Sequence, residues 1–327
     1  MDILARCFQS AKQKHGSVVL PEGSDPRILA AAHQMVRQQL ARPIVLGKTD
    51  RIVAAADDAQ VPLDGIATLD PAESSELERY ASAYKSNRNL KDSIALRMVR
   101  KPLFFGGMMV ACGDADTMVA GVANATATVI QAGVLTIGYA EGIQTASSFF
   151  LMLLPTSGDV PERVLVYADC AVNVDPDPEA LADIALASAQ SAAKLLDDPP
   201  RVAMLSLSTC GSASHAHVEK VTSALALAKS RNPDVLIDGE FQADAAIVPA
   251  VAAKKVKHES EVAGQANVLI FPDLDAGNIG YKLTQYLAHA RAIGPFLQGF
   301  AKPISDLSRG ASIEDIVATT AVCLTQT

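Results

Sequence analysis

Apolar positions along this chain follow two alternating periods. Short unbroken apolar runs, such as Val18, Val19 and Leu20 between Gly16 and Pro21, give way to stretches where apolar residues recur every three or four positions. The first run predicts a buried strand over 17–20. Before it, Ile3, Leu4, Cys7, Phe8 and Ala11 fall at helical spacing among charges, which predicts an amphipathic helix over 1–16 and not a signal peptide. The turn 21–26 caps a helix predicted over 27–42, followed by a strand over 43–46. Helices are predicted over 50–60 and 71–88 with a strand over 65–69 between them, then helices over 92–99 and 102–113 and a strand over 117–121. Gly138-Tyr139-Ala140-Glu141-Gly142 breaks the pattern and places a domain boundary near 139–144. Beyond it, strands over 145–154 and 163–169 predict a hairpin around 155–161. Then come helix 178–196, strand 202–207, helix 214–231, strand 235–238, helix 242–253, an exposed loop over 254–266, strand 268–271 and helix 277–289. Strands and helices alternating at this spacing predict an α/β protein with mainly parallel sheets covered on both faces.

Composition narrows the class. Of 327 residues, 49% are hydrophobic and 20% charged, enough to bury a large core. The net charge of -8 argues against nucleic acid or an anionic membrane as the main partner, so an anionic substrate needs a local basic pocket. Five scattered cysteines (Cys7, Cys112, Cys170, Cys210, Cys323) include no C-x-x-C pair, which indicates neither zinc nor a disulfide framework and suits a reducing cytosol. The most apolar run, 149–154, is too short to span a bilayer.

Candidate chemistry gathers at loops. Asp306-Leu307-Ser308-Arg309-Gly310 reads as a polar turn before a helix opened by Ser312, Glu314 and Asp315. Arg309 suits a two-pronged contact with phosphate or carboxylate, Ser308 can donate to an oxyanion, and Asp315 can take a proton. A capped helix with a surface ion pair is the alternative. Residues 206–214 leave a strand with Ser206, Ser208, Thr209, Gly211 and Ser212, and 122–128 hold Asn124 and Thr126; both read as junctions that offer hydroxyls and N–H groups to an anion. An ordinary capped loop competes with that reading. Neither stretch is a Walker loop, and no G-x-G-x-x-G follows a strand. Asp238, Asp273 and Asp275 fit either a magnesium site of the hydroxyacid dehydrogenase kind or helix capping. His215 and His217, two apart on a helix, point away from each other and make a poor metal pair. Cys210 is a candidate nucleophile if a helix N-terminus lowers its thiol pKa, and otherwise a bystander.

Phe105-Gly106-Gly107-Met108-Met109-Val110, Gly113-Asp114-Ala115-Asp116, Val202-Ala203-Met204-Leu205-Ser206, the stretch 268–282 and the stretch 293–310 together resemble the phosphate acetyltransferases, nearly end to end. The length resembles their short catalytic-domain form, including the version found in ethanolamine-utilisation clusters. The resemblance implies two α/β domains flanking a cleft, an isocitrate/isopropylmalate dehydrogenase-like fold, and a chain tail that returns to the first domain. The domains would then be 1–140 with 298–327, and 141–297. It also implies a cytosolic homodimer that interconverts acetyl-CoA plus phosphate and acetyl phosphate plus CoA, with CoA as substrate, no bound cofactor and no required metal. Asp315 matches the base for the CoA thiol, Arg309 the residue that orients the acyl phosphate, and Ser308 the oxyanion donor. The same resemblance extends substrate binding to Asn278 and Lys282. Three positions depart from the family's arginines: Gln131, Tyr286 and Lys85, with Arg88 near the last. Those departures keep open another acyl group, or a homologue that binds without turnover.

Overall fold

A computed structural model describes residues 3–86, 88, 90–156 and 162–327, in two compact units: Met1–Tyr139 with Phe300–Thr327, and Ala140–Gly299. The first unit begins with α1 (Ile3–Lys14), β1 (Ser17–Leu20), α2 (Pro26–Arg37), β2 (Arg42–Leu46), α3 (Thr49–Ala59) and β3 (Ala67–Leu69). It continues through α4 (Leu77–Ser86), α5 (Asp92–Val99), α6 (Pro102–Cys112), β4 (Thr117–Ala120) and α7 (Thr126–Thr136). The second unit holds β5 (Ser147–Leu154), β6 (Arg163–Ala168), α8 (Pro178–Leu195), β7 (Val202–Leu205), α9 (Ala216–Arg231) and β8 (Ile237–Phe241). It is completed by α10 (Ala243–Ile247), α11 (Pro249–Lys255), β9 (Val268–Ile270), α12 (Leu274–Leu287) and β10 (Arg291–Gln298). The chain then returns to the first unit with β11 (Ile304–Asp306) and α13 (Ile313–Thr325).

The first sheet runs β11-β4-β1-β2-β3, and every pairing is parallel. All residues of β1 and β4 are buried, as a central parallel strand covered on both faces requires. Parallel strands also place the loops after β1, β4 and β11 on one edge, side by side. α1 packs on α13, and Lys14 Nζ donates to the carbonyls of Leu324 (3.1 Å) and Thr325 (3.1 Å), so the two chain ends hold each other. The second sheet runs β10-β5-β6-β9-β7-β8. Its β10-β5-β6 part is antiparallel and its β6-β9-β7-β8 part parallel.

Several predicted elements shift. The helix expected over 27–42 stops at Arg37, because Gln39 takes a left-handed backbone (φ 53°) and Leu40 and Ala41 turn into the core. The helix expected over 71–88 begins only at Leu77, after turns in which Ser74 Oγ accepts Glu76 N–H at 3.2 Å. The helix expected over 242–253 is two helices, since Pro249 has no N–H for the preceding turn. The stretch 254–266 is no simple exposed loop: α11 extends to Lys255, and Val262 and Ala266 are buried in the second unit's core. The strand expected over 235–238 runs instead from Ile237 to Phe241, with a register shift against β7. The hairpin pairing of β5 with β6 is present, while most of its turn lies outside the described residues. Among the described residues, no helix is long and apolar enough to cross a membrane.

Candidate functional site

The turn after β11 begins from buried Leu307 and exposes Ser308, Arg309 and Gly310. Ser308 O accepts Ala311 N–H at 2.9 Å and Ser308 Oγ accepts Gly310 N–H at 3.2 Å, which leaves the serine hydroxyl's own proton free to donate outward. Ser312 then caps α13 in a reciprocal box: its Oγ accepts Asp315 N–H (3.1 Å), while Asp315 Oδ2 accepts Ser312 N–H (3.0 Å) and its hydroxyl (2.9 Å). The capped-helix reading of Asp315 is therefore correct as geometry, and it fixes an exposed carboxylate beside the turn. The guanidinium of Arg309 is exposed and makes no hydrogen bond or ion pair with any other described residue. One unpartnered cation, one hydroxyl and one carboxylate thus share a single exposed segment.

Behind that turn lies a buried polar layer built by the loop after β1. Glu22 is 5% exposed, and its carboxylate accepts Gly121 N–H (2.8 Å), Val122 N–H (3.0 Å), Ala123 N–H (2.9 Å) and Asn124 Nδ2 (2.7 Å). Arg27 reaches the same region from the start of α2, paired with Asp25 at 2.7 Å. That hydrogen-bonded pairing with Arg27 lowers the Asp25 pKa. Asp306, at the end of β11, is 3% exposed and accepts the Thr126 hydroxyl, while its Oδ1 has no partner. Burial pushes its pKa up to about 6; the Thr126 bond opposes the rise and the negative charge of Glu22 adds to it. Only glycine fits at 121, where an added Cβ would lie 2.4 Å from both Asp306 Oδ1 and the Leu307 carbonyl.

The expected anion junction over 122–128 is therefore occupied by the protein's own carboxylates: the 121–123 N–H groups and the Asn124 amide serve Glu22, and the Thr126 hydroxyl serves Asp306. The second unit repeats the device. In the loop after β7, Glu240 Oε1 accepts Ser208 Oγ (2.7 Å) and Gly211 N–H (2.8 Å), Ser212 Oγ accepts Thr209 N–H (3.0 Å), and Ser206 Oγ accepts Ser208 N–H (3.3 Å). Ser208 and Thr209 are buried, so those two hydroxyls are internal, whereas Gly211 and Ser212 are exposed. At the end of β6, Asp169 accepts the N–H groups of Ala171 (3.1 Å), Val172 (3.3 Å) and Asn173 (2.9 Å) together with the Ser148 hydroxyl. Three strand-end cradles hold an internal carboxylate, for the electrostatic reason that made them look like anion sites. Glu22, Asp169 and Arg27 were missed because each precedes or lies remote from the loop it fills, whereas Glu240, read with Asp238 as a strand-end carboxylate for a metal or for loop ordering, orders the loop after β7; a glutamate in Pro21-Glu22-Gly23, right after a fully apolar strand, was the available signal.

Other candidates resolve individually. Cys210 precedes α9 by several residues, and its thiol pKa is raised, by burial first and then by the negative charges of Glu240 and Asp238, so the activated-thiol expectation fails. Asp238 bonds Ser260 Oγ (2.6 Å), His258 Nε2 (2.9 Å) and Lys229 Nζ (3.3 Å); burial alone would raise its pKa, and the Ser260 and His258 bonds bring it below the ordinary value. Asp273 caps α12 by accepting Ala276 N–H at 2.8 Å, and Asp275 sits in its first turn. No group of three potential metal ligands occurs among the described residues. His215 caps α9, with Nδ1 accepting His217 N–H at 3.1 Å. Asn278 donates to the Cys170 carbonyl at 3.0 Å, while Lys282 is exposed near the Tyr281 ring. Gln131 is exposed on α7; Lys85 pairs with Asp92 at 2.6 Å; Arg88 lies over the Tyr84 ring; and Tyr286 is 72% exposed on α12.

The sequence pattern of the phosphate acetyl/butaryl transferase family matches residues 2–324. The chain is similar to a phosphate acetyltransferase from Thermoanaerobacterium thermosaccharolyticum, with 45% identity over 98% of this chain and 99% of the relative. Among solved structures it is similar to a phosphotransacetylase from Streptococcus pyogenes (TM-score 0.92, 37% identity, covering 99% of this chain and 97% of the other). It is also similar to the EutD phosphotransacetylase from Staphylococcus aureus (TM-score 0.88, 37% identity, covering 99% and 98%).

Proposed function

The chain belongs to the phosphate acetyl/butaryl transferase family, and on that premise we propose that Ser308, Arg309 and Asp315 carry its chemistry. It interconverts acetyl-CoA plus phosphate with acetyl phosphate plus free CoA. In the direction of CoA acetylation, Asp315 takes the thiol proton and the thiolate attacks the carbonyl carbon of acetyl phosphate. Ser308 donates to the oxyanion that forms. As the tetrahedral species collapses, the carbon–oxygen bond to phosphate breaks, and phosphate leaves with the electron pair while Arg309 balances its charge. The observation that carries this assignment is the unpartnered, exposed guanidinium of Arg309 between a donor hydroxyl and a fixed carboxylate. Lys282 and Ser212 are the exposed polar residues proposed to meet CoA or phosphate; the buried hydroxyls of Ser208 and Thr209 serve the protein itself.

A direct attack of this kind proceeds without a metal ion, in the cytosol, and in a homodimer. An exposed apolar stripe on α12 (Ile279, Leu283, Tyr286, Leu287) supports the homodimer. The test is phosphate-dependent release of free thiol from acetyl-CoA in the presence of EDTA, with propionyl-CoA and butyryl-CoA run in parallel. Turnover with acetyl-CoA that persists in EDTA is expected. Turnover with a longer acyl group alone would refute the acetyl assignment, and silence with all three would leave a binding protein without turnover.

A further inference from the structure

The loops after β1, β4 and β11 lie side by side at one edge of the first sheet, and a single side chain ties all three together. Arg27 donates Nη1 to the carbonyls of Arg309 (2.8 Å) and Ala311 (3.1 Å). It donates Nη2 to Asp25 Oδ2 (2.7 Å) and the Val122 carbonyl (3.3 Å), and Nε to Asp25 Oδ1 (3.0 Å). A guanidinium has five N–H donors, and here each has an acceptor. None is left for a substrate. The two carbonyls held by Nη1 flank Gly310, so they fix the backbone on both sides of the one residue in the turn that has no side chain to restrain it. Arg309, whose own backbone oxygen is held in this way, leaves its guanidinium unpartnered.

We infer that Arg27 is a positioning residue. By clamping the Arg309 and Ala311 carbonyls against Asp25 and Val122, it sets the direction in which Ser308 and Arg309 present their side chains to the reacting groups. The inference rests on the assignment of Ser308 and Arg309 made above. The work needs a planar fork with donors on three nitrogens; a lysine ammonium at the same place, with three donors on one atom, cannot span the two carbonyls, Val122 and both Asp25 oxygens together. A displacement of about 1 Å in a catalytic group lowers turnover by about 100-fold, which gives the scale of the effect.

The experiment compares the full-length protein with Arg27→Lys, Arg27→Ala and Arg309→Gln, measuring kcat, KM for acetyl-CoA and for phosphate, and the thermal midpoint. Arg27→Lys should lose roughly 10- to 100-fold in kcat, with both KM values within about threefold of the parent and a near-parent melting curve. Millimolar guanidinium should restore part of the kcat of Arg27→Ala, which a merely structural contact would not show. A full kcat in Arg27→Lys, with Arg309→Gln inactive, would overturn the positioning role alone. A tenfold or greater rise in either KM at unchanged kcat would also overturn it and make Arg27 a substrate contact. Full activity in Arg309→Gln would instead remove the assignment of the turn itself, and the role of Arg27 with it.

Discussion

Replacing Glu22 with glutamine removes very little volume and a large amount of bonding. Two donors converge on each carboxylate oxygen: Gly121 and Val122 N–H on Oε2 at 2.8 and 3.0 Å, Ala123 N–H and Asn124 Nδ2 on Oε1 at 2.9 and 2.7 Å. Glutamine keeps one oxygen and puts an NH2 group in place of the other. Whichever way the amide is turned, two donors then face a donor inside a site only 5% exposed. A hydrogen bond to a charged group contributes about 1.5–3 kcal/mol, so the loss of two predicts destabilisation of about 3–6 kcal/mol. Against a usual total of about 5–15 kcal/mol, such a change is plain in a urea titration followed by circular dichroism near pH 7.5. A loss below about 1 kcal/mol would refute the reasoning, because it would mean the N–H groups after β4 find other acceptors and Glu22 does not organise them. The substitution has a second readout: with the charge of Glu22 gone, the raised pKa of Asp306 should move down toward the ordinary carboxylate range.

Asp306 binds its proton more tightly folded, at about 6, than an ordinary aspartate does near 4, so its stabilising contribution is complete below that lower value and is lost as pH rises through about 6. Asp306→Asn should therefore shrink the drop in Tm between pH 5 and pH 8, and an unchanged drop would assign it to another group. Asp315→Asn keeps an oxygen for the Ser312 N–H but cannot take a proton; turnover should fall at least about 100-fold while stability changes by no more than about 1 kcal/mol, and near-parent turnover would clear Asp315 of the base role. Cys210→Ala should turn over at the parent rate with no burst, since the thiol is raised in pKa and not activated; a dead variant would reopen a covalent route. Tyr286→Arg should weaken self-association in light scattering by placing a charge in the exposed stripe of α12, and a dimer of unchanged strength together with a lower KM for CoA would mark the position as a lost cationic contact instead.

The sequence was most legible where one local rule governs. Apolar runs at 17–20 and 117–121 became central parallel strands, and Ser312 with Asp315 became a capping box. The pattern was silent on β10 and β11. β10 carries Gly294-Pro295 within a bulged register against β5, and β11 is a three-residue edge strand, so neither presents a clean alternation. At the candidate site, the sequence showed which residue types gather at the strand ends and not which partners they take. A run of small polar residues after a strand announces converging N–H groups, but which carboxylate fills them depends on remote contacts, as between Glu22 and residues 121–124 or Ser208 and Glu240. Arg309 stood out as a cation in a polar turn, and it is exposed; Arg27 did not stand out, because the carbonyls it holds lie about 95 and 280 positions away.

The return of the chain to its first unit also sets an order of events during synthesis. Residues 300–327 supply the edge strand beside β4, the turn with Ser308 and Arg309, and the helix that α1 clasps through Lys14. A ribosome delivers them only after the whole of the second unit. Until then Arg27 holds only Asp25 and the Val122 carbonyl, the buried face of α1 lacks α13, and a chain that stops early has the cradle of Glu22 without the turn in front of it. The segment proposed to carry the chemistry therefore joins its sheet only after every other strand of both units has been made.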